Sequence, residues 1–407
     1  MIARRPLWLR DGSLQSDSGS ALPHDGERLH QLDWLRILAV VGVFLFHALH
    51  PFDTFDWHVK NGQQSEIISL VLAFLFPWGL GFFFLIAGAA SCLALRARSL
   101  AQFLQERLRR LLVPYVVGWI VLSPVQSYIE DVHKNRWHGS FIAFIPHFFA
   151  RAWREFANLS EGFLPLPVGW GYHLWFLLYL LWFSILGLPV FLWLLGHRGQ
   201  RFLEWLGDHA KWRGFPLLFG IAIALAHVAV RAASPDEHAW GEFVYYFAFF
   251  VCGYVLVAQP RLLAAARRDI VPALVVGLAG FGLLIATGVV DWFERWMEQP
   301  SYSVRYAWTF FLFSAQAWAW ALAILGIGLN RTRFDRLVPK AAASAAMPFF
   351  VLHQPVILAV AFVVVSMDVA LLVKVVLVVG PSFLITAFLA RLFTRHRFAR
   401  SLLGAKS

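Results

Sequence analysis

At 407 residues the chain has the length of two or three soluble domains, but 59% apolar residues, 14% charged residues, 39 Phe and 19 Trp exclude that organisation and place it in a lipid bilayer. The net charge of +11 is scattered, with no basic stripe interleaved with aromatics, which excludes a nucleic-acid surface. Cys92 and Cys252 both sit inside apolar runs and supply neither a disulfide framework nor a metal spacing.

Residues 1–30 are polar and mixed and lack the apolar core of a signal peptide, so they read as a flexible cytoplasmic tail. Leu32 to His50, LDWLRILAVVGVFLFHALH, reads as the first spanning helix, with Asp33 as a cap for its start. Arg36 at its beginning and His47 near its end are eleven positions apart, about three turns, so they share one face about 16 Å apart. Ala39 and Gly42 lie near that face and are expected to admit a close neighbour helix. A polar loop follows, and then an apolar run from Ile67 to Leu95 that Pro77, Gly79 and Gly81 are expected to break. Its deeper half contains FFFLIAG, Phe82 to Gly88. After the basic segment RARSLAQFLQERLRR comes a third span, about 111–129. In the long connection 130–171, FIAFIPHFFARAW reads as interfacial, because His147 and Arg151 interrupt it. Further spans are expected at about 172–195, 215–233, 242–259, 270–290, 306–329, 346–366 and 369–390. The fold class is therefore an all-α polytopic membrane protein of about ten helices, with one transmembrane domain over 31–395 and a basic cytoplasmic tail at 396–407.

Charge orients these spans. Alternate loops, beginning with the N-terminal tail, hold 25 of the 35 Lys and Arg, while the opposite loops hold nine. That asymmetry predicts both termini in the cytoplasm. Arg36 then faces inward, together with Arg107, Arg109 and Arg110. Mid to outer depth receives His47, His173 and His353, the last roughly mid-membrane, with His50, Asp53, Asp56 and His58 in the first outer loop. Plainer roles are open to each: Arg36 snorkels, the histidines bond neighbouring carbonyls, the arginines hold topology, and the loop is solvated. Their joint arrangement points instead to group transfer across a membrane. An anionic cytoplasmic donor binds at the inner arginines, and a neutral His47 takes a proton from an acceptor hydroxyl arriving from outside. Spacing leaves open whether His47 is a base or is itself acylated. A metal site has no support, because no HExxH or comparable pair occurs. A transporter or flippase for a lipid-linked sugar, using the histidines as a proton relay, is the alternative.

These residues resemble the bacterial acyltransferase type 3 family of integral-membrane O-acyltransferases. Arg36 and His47 match its Arg, ten residues, His signature, and Phe82–Gly88 is similar to its FFxxSG segment. Arg107 and Arg110 in QERLRRLLVPY match its RxxR pattern, and HLWFL (His173–Leu177) and MPFFVLHQPV match later segments. The resemblance runs from about 32 to 395 and looks closest to the periplasmic-glucan succinyltransferases. It implies Arg36 and His47 as catalytic, Arg107 and Arg110 as donor-binding, and His50, His173, Trp175 and His353 on the acceptor side. It also implies acyl-coenzyme A as donor substrate, no resident cofactor, a sugar or glucan hydroxyl as acceptor, and a bacterial inner membrane. Two positions depart from the pattern. The family's Ser is Ala87 here, and the acidic residue after the HLW segment is replaced by Leu178 and Tyr179.

Overall fold

The computed structural model describes residues 30–157, 168–234, 239–287, 302–330 and 340–405. The N-terminal tail expected over 1–30 lies almost wholly outside these residues. Among the described residues the regular structure is helical throughout.

Helix α1 (His30–Leu49) runs into a 3-10 turn at His50–Phe52 and is followed by α2 (Glu66–Ala97). Helix α3 (Leu100–Arg107) passes through one π turn, Leu108–Leu112, into α4 (Val113–Val121) and α5 (Ser123–His133). After α6 (Phe141–Ala157) and a 3-10 segment, Val168–Leu174, come α7 (Trp175–Leu186), α8 (Leu188–Leu195) and α9 (His197–His209). The chain continues through α10 (Leu218–Arg231), α11 (Trp240–Ala258), α12 (Pro260–Arg268) and α13 (Ile270–Ala286). The last helices are α14 (Val304–Asn330), α15 (Lys340–Val364), α16 (Leu371–Arg395) and α17 (Arg397–Leu402).

Six of these helices are long and apolar enough to cross a bilayer alone: α1, α2, α11, α14, α15 and α16. Three bent pairs raise the number to nine: Leu100–Val121 with Ser123–His133, Gly171–Leu186 with Leu188–Leu195, and Pro260–Arg268 with Ile270–Ala286, bent by 41°, 42° and 66°. The shorter apolar stretch Phe215–Arg231 stands where the fifth of ten spans was expected. Proline opens α5 and α8, where a first-turn position has no intrahelical donor to lose, so both bends fall where a new helix starts cheaply. The chain is a multi-pass membrane protein.

Two local expectations are corrected. The run 66–97 is one continuous 32-residue helix, not two halves, with Pro77 inside it. The Tyr245 hydroxyl of α11 donates to the Pro77 carbonyl at 2.7 Å, which ties the proline turn to its neighbour. Gly42 does not seat a neighbour helix, since a Cβ there meets nothing within 4 Å. At 100° per residue it lies about 120° from Arg36, towards the flank of the exposed Leu38 and Leu45. Close approach occurs instead between α2 and α11. A Cβ on Gly88 would come 1.8 Å from the Phe250 carbonyl oxygen, and one on Gly253 would come 2.0 Å from that of Leu85. These reciprocal glycines allow backbone-to-backbone packing of two apolar helices.

Helix α6 is amphipathic, as its interfacial reading requires. Phe144, Phe148 and Ala152 are buried at four-residue spacing, while Ile142 and Trp153 are exposed. Arg151 pins it to α5 through Asp131 at 3.1 Å. At the chain end, α17 folds back rather than extending as a tail. Gly404 lies against the Arg110 carbonyl, Pro114 and Met347, and Arg110 Nε donates to its carbonyl at 3.3 Å.

Candidate active site

The face of α1 opposite Leu38 and Leu45 carries Arg36 and His47 into the bundle, where α1 packs on α2 and α15. Three imidazoles from α1, the 3-10 segment before α7, and α15 meet there. Ring centroids of His47 and His353 are 5.1 Å apart, those of His173 and His353 4.8 Å, and those of His47 and His173 6.4 Å.

Backbone chemistry sets the tautomers. Pro355 has no N–H, so the Val351 carbonyl of α15 loses its usual donor one turn on. His173 Nε2 fills that gap, 3.1 Å from the carbonyls of both Phe350 and Val351. His353 Nδ1 donates to the same Phe350 carbonyl at 2.6 Å. On α1, His47 Nδ1 donates to the Val43 carbonyl at 2.8 Å, and His353 Nε2 lies 3.4 Å from that nitrogen. Assigned from this network, His47 keeps its Nε2 lone pair, His353 directs a lone pair towards His47, and His173 keeps one on Nδ1. That His173 Nδ1 is buried and has no partner among the described residues. Pro355→Ala restores a backbone donor that competes with His173 for Val351. We expect a more heat-stable α15 with turnover lowered by about tenfold, read from paired unfolding and initial-rate measurements.

The first loop is built, not solvated. Asp53 is fully buried and accepts from Lys60 Nζ, which also donates to the His50 and Asp53 carbonyls at 2.7 and 2.6 Å. His50 Nδ1 lies 2.7 Å from Asp53 Oδ2 as an ion-pair contact without hydrogen-bond alignment. The His50 ring stacks on Trp57, with centroids 5.4 Å apart and planes 15° apart. Asn61 and Ser65 donate backbone N–H groups to the Pro51 and Phe52 carbonyls at 2.8 Å. Of Asp53, Asp56 and His58, Asp56 alone conforms to the solvated reading, at 86% side-chain exposure.

Arg36 stands at the other end of α1, away from the imidazoles. Asp33 lies in the first turn of α1, not at its cap, and pairs with Arg36 at 3.2 Å. Arg36 also donates to the Ala343 carbonyl of α15 at 3.1 Å. One turn along α15, Met347 lies at Gly404, against the Arg110 carbonyl. Arg110 pairs with Glu106 at 3.1 Å. Arg107 lies over the Phe103 ring and donates to Ser91 Oγ at 2.9 Å. Ser91 in turn donates to the Ala87 carbonyl at 2.8 Å, so a hydroxyl one turn beyond Ala87 holds the arginine.

Trp175 is not brought to the imidazoles. It packs against Phe84, Tyr179 and Tyr246, because two helical positions after His173 turn it to the far side of α7. Glu130, Trp57 and Tyr172, which were not among the expected site residues, border the cluster. His58 Nδ1 donates to Glu130 Oε2 at 2.7 Å. The signal for Glu130 was its place at the end of an apolar span, followed closely by Lys134 and Arg136. Among the described residues no group of three or more His, Cys, Asp or Glu is arranged to hold a metal ion.

Helices crossing a membrane around clustered imidazoles at one end of α1 and an arginine at the other define an integral-membrane enzyme built for group transfer. A family model described as an acyltransferase domain matches residues 29–391, and the chain belongs to that family, the type 3 acyltransferases. It is an acyltransferase. No curated protein and no solved structure matches it.

Proposed function

We propose that this acyltransferase moves an acetyl or succinyl group from cytoplasmic acyl-coenzyme A to a hydroxyl of an extracytoplasmic sugar or glucan, in a bacterial inner membrane with both termini cytoplasmic. The observation that carries this reading is His47. Its Nδ1 is committed to Val43, which leaves Nε2 with a lone pair beside two further imidazoles. As the acceptor oxygen forms its bond to the thioester carbonyl carbon, its proton passes to His47 Nε2. The C–S bond then breaks, and the departing thiolate takes the proton from the imidazolium. His353 and His173 hold the neighbouring dipoles in place, and His50 with Asp53 fixes the loop above them.

Arg36, Arg107 and Arg110 supply the donor end, where phosphates of the coenzyme bind in water-accessible surroundings. Ser91 and Phe103 orient Arg107 for that contact. Replacing Arg107 with Ala raises the donor KM by about tenfold or more, the worth of a charge-assisted hydrogen bond, and leaves the acceptor KM near its starting value. Initial rates over a donor-by-acceptor grid check this, and equal increases would assign Arg107 to topology alone.

Incubation of the purified protein with radiolabelled acyl-coenzyme A and a glucan tests the whole reading. Label joined to the sugar through a base-labile ester supports it. Consumption of donor with no label on any saccharide overturns the acceptor assignment.

A further inference from the structure

We propose that Trp57, His58 and Tyr172, with Glu130 behind them, form a binding subsite for a neutral polyhydroxylated ring, the sugar unit that presents its hydroxyl to His47. This inference rests on the proposed saccharide acceptor and names the residues that hold it.

The His58 imidazole is flanked by two aromatic rings, Tyr172 with its centroid at 4.9 Å and Trp57 at 5.2 Å. Its Nδ1 is tied to Glu130, whose carboxylate is otherwise taken up by Arg136 at 3.0 Å and Lys134 at 3.4 Å. Glu130 therefore serves His58 rather than a ligand. His58 Nε2 makes no hydrogen bond among the described residues, on a side chain that is 24% exposed. A fixed imidazole nitrogen between aromatic faces matches a sugar ring, which offers C–H faces for stacking and hydroxyls that both donate and accept. A phosphate or carboxylate fits less well, because the cations around Glu130 are already paired, Lys134 and Arg136 with Glu130, and Arg136 and Arg151 with Asp131.

Tyr172 supplies the second observation. Its backbone stands at φ 51°, ψ −135°, a conformation that glycine adopts freely and L side chains rarely adopt. Such strain persists where surrounding structure imposes it. The ring of Tyr172 is set beside His58, its hydroxyl lies 3.5 Å from Glu130 Oε2, and the next residue is His173 of the imidazole cluster. One strained residue thus joins the subsite to the cluster. Trp57 also stands beside His47, with ring centroids 6.4 Å apart, so the subsite adjoins the base. The loop that carries Trp57 and His58 is held by the Lys60 and Asp53 bonds, so the aromatic walls are positioned before any ligand arrives.

Three variants, Trp57→Leu, His58→Gln and Tyr172→Gly, test the subsite in the full-length protein. Tyr172→Gly relieves the backbone while removing the ring, so a purely structural role predicts equal or greater thermal stability with an unchanged acceptor KM. The subsite predicts an acceptor KM raised at least tenfold in each variant, with donor KM unchanged. It also predicts that a glucose oligosaccharide, added without donor, loses its saturation-transfer NMR signal in all three while His47→Ala retains it. Acylation of the oligosaccharide by wild type with unaltered acceptor KM in the variants overturns the subsite and leaves the enzymatic reading standing. If wild type neither binds nor acylates the oligosaccharide, the saccharide reading itself fails.

Discussion

Replacing His47 with alanine is expected to abolish acyl transfer, by about three orders of magnitude or more, while the protein still inserts and folds. General-base catalysis is worth about 10²- to 10⁴-fold, and no other imidazole in the cluster is placed to substitute. His353 has Nδ1 on Phe350 and directs Nε2 towards His47, and His173 has Nε2 on the Phe350 and Val351 carbonyls. Their free lone pairs, on His353 Nε2 and His173 Nδ1, sit on rings whose centroids lie 5.1 and 6.4 Å from that of His47, away from the position its Nε2 holds. Folding survives because the His47 side chain bonds only within its own helix and to His353, and the alanine keeps helix propensity. Single-turnover assays with labelled donor, together with size-exclusion profiles in detergent, separate the two effects. A fully active, folded His47→Ala protein would remove the base assignment.

The Asp53→Ala variant is expected to lose stability by about 3 kcal/mol, enough to deplete folded protein, because it strands the Lys60 ammonium in a mostly buried position. The carboxylate closes the loop after α1 by holding Lys60 against the His50 carbonyl. The paired variant Asp53→Ala with Lys60→Met removes both charges and should recover most of that loss. Unfolding midpoints of the wild type, both single variants and the pair measure the coupling. Additive losses in the pair would show that the two side chains act separately.

Much of the architecture was legible in the chain. Apolar length marks each membrane-crossing element, since a bilayer accepts only backbone whose polar groups are paired internally. The positions of Arg36 and His47 on one face follow from helical geometry alone, and the exposed Leu38 and Leu45 on the opposite face agree. Periodicity misjudged features that depend on neighbours. Pro77 looks like a break, yet α2 continues through it, packed closely against α11 and tied to it by Tyr245. Gly42 looks like a helix-packing residue, yet that role falls to Gly88 and Gly253 on the α2–α11 pair.

The sequence by itself determined the class of protein and the candidate chemistry: a multi-pass helical chain with cationic and imidazole residues at separate depths. That much depends on hydropathy, residue type and spacing along single helices, which are local properties. Tertiary structure alone decided which of these residues meet. His47, His173 and His353 come from elements up to 306 positions apart, and their tautomers depend on carbonyls that Pro355 and the helix ends leave available. Glu130 reached His58 across 72 positions, while Trp175 turned away from His173 although only two residues separate them. Hydrogen-bond partners are set by where folded elements cross, and a crossing is a property of packed pairs of helices that no one helix encodes.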